Sequence, residues 1–290
     1  MKNLDLSTLP AKKRKQIVSC LRAGIQLLYF LFLPSVFTAA FNGVKYIFTQ
    51  IGQGEKIEMT AFVSALLLVC AFTIVFGRFF CGFACAFGSL GDAMHAIYGI
   101  ICKKRKKKPR RIKPELAKKL ALVKYGILLL IALCCFAGVY QKARGTSPWD
   151  VFSMLHAGNF RLSSYIPGIV LLVLILVGMF FEERFFCRFL CPMGAVFSLL
   201  PILPFFTLHR KRENCIRGCS ACTRQCPSAV ELPSDGSVEI SGDCFQCQKC
   251  IDTCPKGNIR CGVKELHGNE ILFTLFRAVF LLTLLLWAGI

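Results

Sequence analysis

The chain of 290 residues is 55% hydrophobic and carries a formal net charge of +20. Soluble globular chains contain about 45–50% apolar residues, and the excess here is concentrated in long blocks. This distribution excludes an ordinary soluble domain. Much of the positive charge lies beside the blocks, so we expect membrane lipid, and no nucleic acid, to be its partner.

Five apolar blocks are long enough, or nearly so, to cross a bilayer, which takes about 20 residues. They cover residues 17–37, 60–76, 120–140, 165–181 and 271–290. The sequence therefore predicts an α-helical multi-pass membrane protein with about five transmembrane helices, residues 1–209 forming the main membrane domain. A secretory signal peptide is the alternative for the first block, although its apolar stretch is long for a signal.

Basic residues flank the blocks on one side of the predicted membrane. Residues 12–15 are all basic, and the run KKRKKKPRRIK at 103–113 contains nine basic residues. The positive-inside rule places the N-terminus, the 81–119 connection and the 182–270 region in the cytoplasm, and the C-terminus outside. Docking of an acidic cytoplasmic redox carrier is a second role that the 103–113 run could serve.

The polar region at 210–268 contains the clearest chemical motif. CFQCQKCIDTCP, residues 244–255, has the spacing C-x2-C-x2-C-x3-C-P, the ligand run of bacterial ferredoxins that bind two 4Fe–4S clusters. Two all-cysteine zinc sites are the alternative, which the tripled cysteine spacing disfavours. The linker AVELPSDGSVEI at 229–240 predicts a β-hairpin around its Asp-Gly turn. We therefore expect a small inserted α+β ferredoxin domain.

A second cysteine run lies upstream, CIRGCSACTRQCP at 215–227. It departs from the standard spacing because three residues, and not two, separate its first two cysteines. In two-cluster ferredoxins the fourth cysteine of each run ligates the other cluster. This crossed pattern predicts one cluster on Cys215, Cys219, Cys222 and Cys254, and another on Cys244, Cys247, Cys250 and Cys226.

Four further cysteines belong to an internal repeat at the ends of two apolar blocks. RFFCGFACAFG at 78–88 and RFFCRFLCPMG at 184–194 are identical at seven of eleven positions. Residues four apart share one face of a helix, and Pro192 predicts a helix break at Cys191. Packing of the repeats would gather Cys81, Cys85, Cys187 and Cys191. Three interpretations stay open: a third metal centre, a thiol redox site, or simple packing of small side chains.

These motifs together resemble the NapH/NosR family of membrane ferredoxins, over about residues 60–262. The family typically carries C-x3-C-P twice, with a glycine two residues after the proline. Cys187, Cys191, Pro192 and Gly194 match that pattern, whereas the first copy has Ala86 in place of the proline. The resemblance implies electron transfer between a membrane quinol pool or flavoprotein and redox partners, with any flavin or quinone bound through a partner.

Three functions are compatible with these motifs. The first is an electron-transfer subunit of a quinol-linked oxidoreductase, in which the clusters carry the chemistry and no acid–base catalytic residue is needed. The second is an assembly or maturation factor whose clusters reduce a metal or a partner protein. The third is a redox-sensing membrane scaffold. We favour the first, with the protein in the cell membrane and its ferredoxin domain on the cytoplasmic side.

Overall fold

The computed structural model describes residues 11–107, 109, 111–140, 145–160, 163–203, 206–233, 235–239, 241–261 and 270–289. Parts of the predictions above therefore lie outside the described residues, among them Lys108 and Arg110 of the basic run and the end of the 210–268 domain. The twelve α-helices and three strands of the described part run in chain order as α1 Ala11–Phe32, α2 Val36–Gln53, α3 Ala61–Phe76, α4 Ala86–Lys104, α5 Pro114–Leu120, α6 Val123–Phe136, α7 Pro148–His156, α8 Ile166–Phe181, α9 Pro192–Leu199, β1 Leu208–Lys211, α10 Ala221–Gln225, β2 Asp235–Val238, α11 Lys249–Thr253, β3 Ile259–Cys261 and α12 Glu270–Trp287.

Local sequence accounts for several helix ends. The side chain of Thr60 accepts a hydrogen bond from the amide of Val63 and caps α3, as expected of a threonine at an N-cap. Proline opens α5, α7 and α9, where its missing N–H costs nothing. Gly54 ends α2 in the left-handed conformation, with φ of 69°, which glycine adopts without strain.

The apolar helices have the composition of membrane spans. Within the described part, Glu115–Phe136 and Ser163–Phe181 are long and apolar enough to cross a bilayer, and the bent pair Gln16–Phe32 and Val36–Gln53 is a third candidate. Ala61–Phe76 and Ile271–Trp287 are apolar but shorter. Every predicted block thus contains an apolar helix, while five crossings stay a prediction.

The first block, however, is not one continuous helix as predicted. α1 ends at Phe32, and α2 starts at Val36 and runs on to Gln53, with a bend of 61° between the two helices. Pro34 lies in the break, and a proline disfavours the helical conformation of the residue before it. α2 therefore extends well beyond residue 37, where the predicted block ends.

The core of the helical part lies around the two repeats. α2 packs on α3 and α6, α4 on α8, and α9 on α6. The buried side chains are mainly phenylalanines, including those of both repeats, and their rings pack at the tilted and edge-on angles that aromatic pairs prefer. The repeats are therefore the centre of the packed structure.

The 208–261 region contains a three-stranded sheet of order β2-β1-β3, in which β1 pairs antiparallel with both neighbours. The predicted hairpin at 229–240 is wrong, because the Asp-Gly pair lies inside β2 and β2 pairs with β1. Proline cannot donate to a strand ladder, and Pro233 lies where the first hairpin strand would have run. The carbonyl of Leu232 instead accepts a hydrogen bond from Arg210 Nη2 at 2.9 Å.

Candidate iron–sulfur sites

Two neighbouring cavities gather the eight cysteines of the 215–254 region. The first is lined by one complete predicted ligand set: Cys215, Cys219, Cys222 and Cys254. The second is lined by the other set together with one shared thiol: Cys226, Cys244, Cys247 and Cys250, with Cys222. The shared cysteine shows that the two cavities adjoin.

Two short helices carry the thiols from one cavity to the other. α10 bears Cys222 and ends at Cys226, and α11 bears Cys250 and ends at Cys254. The two helices pack on each other, and each terminal cysteine is extended and followed by a proline that cannot prolong the helix. One turn of helix thus separates a thiol of one cavity from a thiol of the other.

The 244–250 loop bends sharply between its cysteines. Gln246 and Gln248 adopt the left-handed conformation, with φ of 52° and 60°, which is uncommon for residues other than glycine. These two bends turn the thiols of Cys244, Cys247 and Cys250 towards one cavity. Such strain is maintained only where the surrounding structure over-determines it, which is expected at a ligand loop.

N–H groups point at the sulfur atoms of the first cavity. Arg210 Nη1 donates to Cys222 Sγ at 3.0 Å, Asn258 Nδ2 donates to Cys215 Sγ at 3.4 Å, and the amide of Asn258 donates to Cys254 Sγ at 3.4 Å. Hydrogen bonds of this kind stabilise thiolate ligands and set the potential of a bound cluster. The donors fit a site for anionic sulfur.

Burial makes the thiols of the second cavity poor acids. It raises the pKa of Cys244, Cys247 and Cys250 above the ordinary value for cysteine. It also raises the pKa of Cys226, although the amides that follow Cys226 act in the opposite direction. These thiols are therefore protonated at neutral pH and lose their protons only when a metal replaces them.

The pattern of the cysteines favours a cluster over zinc. CFQCQKCIDTCP lines one cavity with three cysteines and the other cavity with its fourth cysteine, which precedes a proline. This is the ligand pattern of ferredoxins with two clusters, whereas a zinc site gathers four ligands around one centre. The zinc alternative is disfavoured accordingly.

The two membrane repeats share an unexpected backbone. Each forms a π-helical turn, Phe80–Ala84 and Phe186–Leu190. The amides of Cys85 and Cys191 donate to the carbonyls five residues back, both at 2.8 Å. Our prediction that cysteines four apart share a helix face is therefore wrong, because the second cysteine of each pair is extended and precedes the next helix. π-helical turns are rare and are often found at functional sites.

The predicted break at Cys191 is present, since α9 begins at Pro192. The first repeat breaks in the same way although it has Ala86 in place of the proline. Pro192 is therefore not needed for this geometry. The repeated RFFC-x-F-x-C sequence and its packing produce the turn in both copies.

The repeats bring their four cysteines together. Cys81, Cys85, Cys187 and Cys191 are all buried, and they lie close enough for their charges to interact. Each is a free thiol in the structure. The four-thiol site defined by these residues lies where α4 and α9 begin, with two thiols from each repeat.

An arginine of each repeat reaches into the other repeat. Arg78 Nη2 lies against Gly194, at 3.0 Å from where a Cβ would stand, and Arg184 Nη1 lies against Gly88, at 2.5 Å from the corresponding point. The two arginines and the two glycines are each 106 residues apart in sequence. The repeats therefore pack with approximate twofold symmetry, and only glycine leaves room for the guanidinium groups.

Arg184 has a carboxylate partner of its own. Its Nε and Nη2 donate to the two oxygens of Asp92 at 2.9 and 2.6 Å, the fork geometry in which arginine binds carboxylates most strongly. Arg78 donates to Ser198 Oγ at 3.2 Å, and Ser198 is the residue 106 positions after Asp92. Neither arginine was predicted from the sequence as a site residue, although the repeat begins with Arg in each copy.

One loop of the cysteine-rich region is inserted into the membrane repeats. The ring of Phe245 is 3% exposed and lies between the two guanidinium groups, 4.7 Å from that of Arg78 and 5.6 Å from that of Arg184. Arg22 of α1 donates to the carbonyl of Cys247, and the carbonyl of Phe245 lies against Gly82. The second cavity is thus joined directly to the four-thiol site.

We expect Gly82→Ala to damage this junction. A Cβ at Gly82 would overlap the carbonyl of Phe245, and overpacking of this kind costs about 1–3 kcal/mol. Gly99→Ala in α4 is the matched control, because no atom lies within 4 Å of its added Cβ and alanine favours the helix by up to about 1 kcal/mol. Thermal unfolding in detergent measures both; equal melting temperatures for the two variants would contradict the contact.

Segments of the chain match a family described as a 4Fe-4S binding domain, at residues 59–109 and 166–207. These segments contain the two repeats, whereas the eight cysteines at 215–254 lie outside them. No solved structure is a significant match to the chain.

Curated relatives cover most of the chain. An uncharacterised protein of Methanocaldococcus jannaschii, MJ0749, is 30% identical over 70% of this chain and 71% of its own length. YccM of Escherichia coli, named as a proposed electron transport protein, is 26% identical over 77% of this chain and 62% of its own length. The ferredoxin-type protein NapH of Haemophilus influenzae is 24% identical over 72% of this chain and 70% of its own length.

Proposed function

Because the chain belongs to the NapH/NosR-like family of ferredoxin-type membrane proteins, we propose that it transfers electrons in the membrane through bound 4Fe–4S clusters. The observation that carries this proposal is the pair of adjoining cavities that the eight cysteines of two ferredoxin-type runs line. When bound, the clusters supply one-electron redox chemistry, while the protein supplies ligands, burial and electrostatics.

Two clusters are proposed, with crossed ligands. Support comes from the lining of each cavity, because the fourth cysteine of each run lines the cavity of the other run. The first cluster is assigned to Cys215, Cys219, Cys222 and Cys254. The second cluster is assigned to Cys244, Cys247, Cys250 and Cys226.

We further propose five crossings of the membrane, with the cysteine-rich region on the cytoplasmic side. The basic run supports this orientation. α5 follows that run directly and is itself rich in lysine. The same side then carries the connection at 81–119 and the two cavities.

The proposed partners are a membrane quinol or flavoprotein as one redox partner and a soluble carrier as the other. A cleft beside Cys226 supports docking of an acidic carrier. It opens between α5 and the cysteine-rich region, and its lining contains seven Lys and Arg side chains, among them Arg111, Lys118 and Arg224, against four Asp and Glu side chains. Positive potential of this kind accelerates the association of acidic partners.

Reduction by a quinol in proteoliposomes tests the function. With a low-potential quinol analogue supplied in the lipid, we expect the iron–sulfur absorption of the full-length protein to bleach, and we expect reoxidation when an acidic carrier such as a flavodoxin is added. The Cys219→Ser and Cys247→Ser variants should each lose part of this bleaching. Cys102→Ser is the control, because that buried cysteine lines neither cavity.

Fully loaded clusters that neither the quinol analogue nor the carrier can reduce or oxidise would contradict electron transfer with these partners. If, in addition, deletion of the gene deprived a metalloenzyme of its metal, a function in metalloenzyme assembly would replace electron transfer. Bleaching that is unchanged in both cysteine variants would contradict the proposed clusters as the electron acceptors.

A further inference from the structure

We propose that the four-thiol site binds a third iron–sulfur cluster, which exchanges electrons with the cluster of the second cavity across the Phe245 loop. The inference deepens the proposed function, and the exchange of electrons with the second cavity rests on that function. The binding of the third cluster itself rests only on the residues of the repeats.

The ligands come in two equivalent pairs. Each repeat supplies one cysteine from its π-helical turn and one from the residue that precedes the following helix. All four side chains are at most 5% exposed and are mutually close. Simple packing would not require the same π-helical turn twice, since any small apolar residue fills such a space.

Two buried positive charges flank the thiols. Arg78 is 1% exposed and interacts with the charges of Cys81, Cys187 and Cys191. Arg184 is 2% exposed and interacts with Cys187 and Cys85. A cluster held by four thiolates is anionic, and its burial requires positive charge or hydrogen-bond donors close by.

Arg78 also has donors to spare. Its Nε and Nη2 are buried and have no hydrogen-bond partner among the described residues. A buried donor without a partner destabilises the fold, and more so when it is charged. Thiolate or inorganic sulfide in the four-thiol site would accept from these donors, so an occupied site removes that cost.

The family match favours a cluster over a single ion. The family described as a 4Fe-4S binding domain matches residues 59–109 and 166–207, and these segments contain all four repeat cysteines. The match therefore supports a polynuclear centre at the four-thiol site.

The Phe245 loop provides the link to the second cavity. Gly82 follows Cys81 directly, and the space above Gly82 is filled by the carbonyl of Phe245 and, at 3.9 Å, the Cα of Cys247. A ligand of the proposed third cluster and a ligand of the second cluster thus lie on either side of one glycine. This contact orders the relay as four-thiol site, second cavity and first cavity, with one electron passed at each step.

Metal analysis of the anaerobically purified full-length protein tests the third cluster. We compare wild type with a quadruple variant, C81S/C85S/C187S/C191S, and with a control that removes four other cysteines, C20S/C70S/C102S/C135S. Three 4Fe–4S clusters predict about twelve irons per chain in wild type and control, and about eight in the quadruple variant. Equal iron in wild type and quadruple variant would overturn the proposal.

The same numbers separate this proposal from the proposed function. If wild type holds about four irons and the quadruple variant none, the third cluster stands and the two ferredoxin clusters fail. If both hold about eight, the ferredoxin clusters stand and the third cluster fails.

A milder variant covers the case in which the quadruple variant does not fold. Arg78→Gln removes a positive charge beside the four thiols and is expected to lower the midpoint potential of the third centre, because the oxidised state carries less negative charge than the reduced state. Arg188→Gln is the control, since Arg188 lies beside Cys226 and the basic cleft. An iron signal whose potential is unchanged in Arg78→Gln would overturn the assignment to this site.

Discussion

Replacing Asp92 by alanine is expected to lower the free energy of unfolding by about 3–5 kcal/mol. The guanidinium of Arg184 is almost completely buried and both oxygens of Asp92 accept from it. Without the carboxylate, an uncompensated charge would remain beside the four-thiol site. Burial alone raises the pKa of Asp92, but the charge of Arg184 outweighs it and lowers that pKa to about 2.

The sign of the pH effect follows from that lowered pKa. A carboxyl group whose pKa is lower in the folded state stabilises the protein fully above its unfolded pKa, which is about 4 for aspartate. The contribution is lost as the pH falls towards 2. At neutral pH the ion pair is therefore fully formed, and the alanine variant shows its whole effect there.

Two further variants make this prediction specific. Glu115→Ala changes an exposed acid of α5 and should alter stability by no more than about 0.5 kcal/mol. The double variant Asp92→Ala with Arg184→Met removes both charges, so its loss should be smaller than the sum of the single losses. Thermal unfolding in detergent measures all of them; additive losses would show that the pair is not the cause.

Cys219→Ser and Cys247→Ser are each expected to remove one whole cluster, about four irons per chain, and to leave the other cluster in place. The reason is that Cys219 lines only the first cavity and Cys247 only the second. Cys222 lines both and is therefore unsuitable for this test. Iron and acid-labile sulfide are counted in each variant, with Cys102→Ser as the control.

Loss of both clusters in one variant, with normal folding, would contradict the separation of the ligand sets. So would a Cys219→Ser variant that keeps all of its iron. The first run has an additional residue between Cys215 and Cys219, so this variant tests whether the longer loop still binds a cluster.

Much of the site was predictable from the sequence because cysteine spacing is local. The C-x2-C-x2-C-x3-C-P run places three thiols in one short loop whatever the rest of the chain does, and the proline ends α11 where the fourth cysteine turns away. The apolar blocks were equally readable, since each predicted block contains an apolar helix. The ends of the helices were less predictable from the sequence, as the break at Pro34 shows.

What the sequence did not predict depends on contacts between distant residues. β2 pairs with β1, a strand far from it in sequence, whereas the Asp-Gly pair locally favours a hairpin. The π-helical turns lie among buried aromatic side chains, where a local pattern predicts an ordinary helix. The exchange of Arg78 and Arg184 between repeats, and the insertion of Phe245 between them, require the two copies to be packed together.

The most direct measurement of the central claim is low-temperature EPR of the full-length protein during stepwise anaerobic reduction. Because the two cavities share Cys222, two reduced 4Fe–4S clusters there would be close enough for their spins to interact. The account predicts a 4Fe–4S signal at partial reduction and a split, interacting spectrum at full reduction, which Cys219→Ser abolishes. A fully reduced wild type without any 4Fe–4S signal, or with one isolated signal that is unchanged in Cys219→Ser, would contradict it.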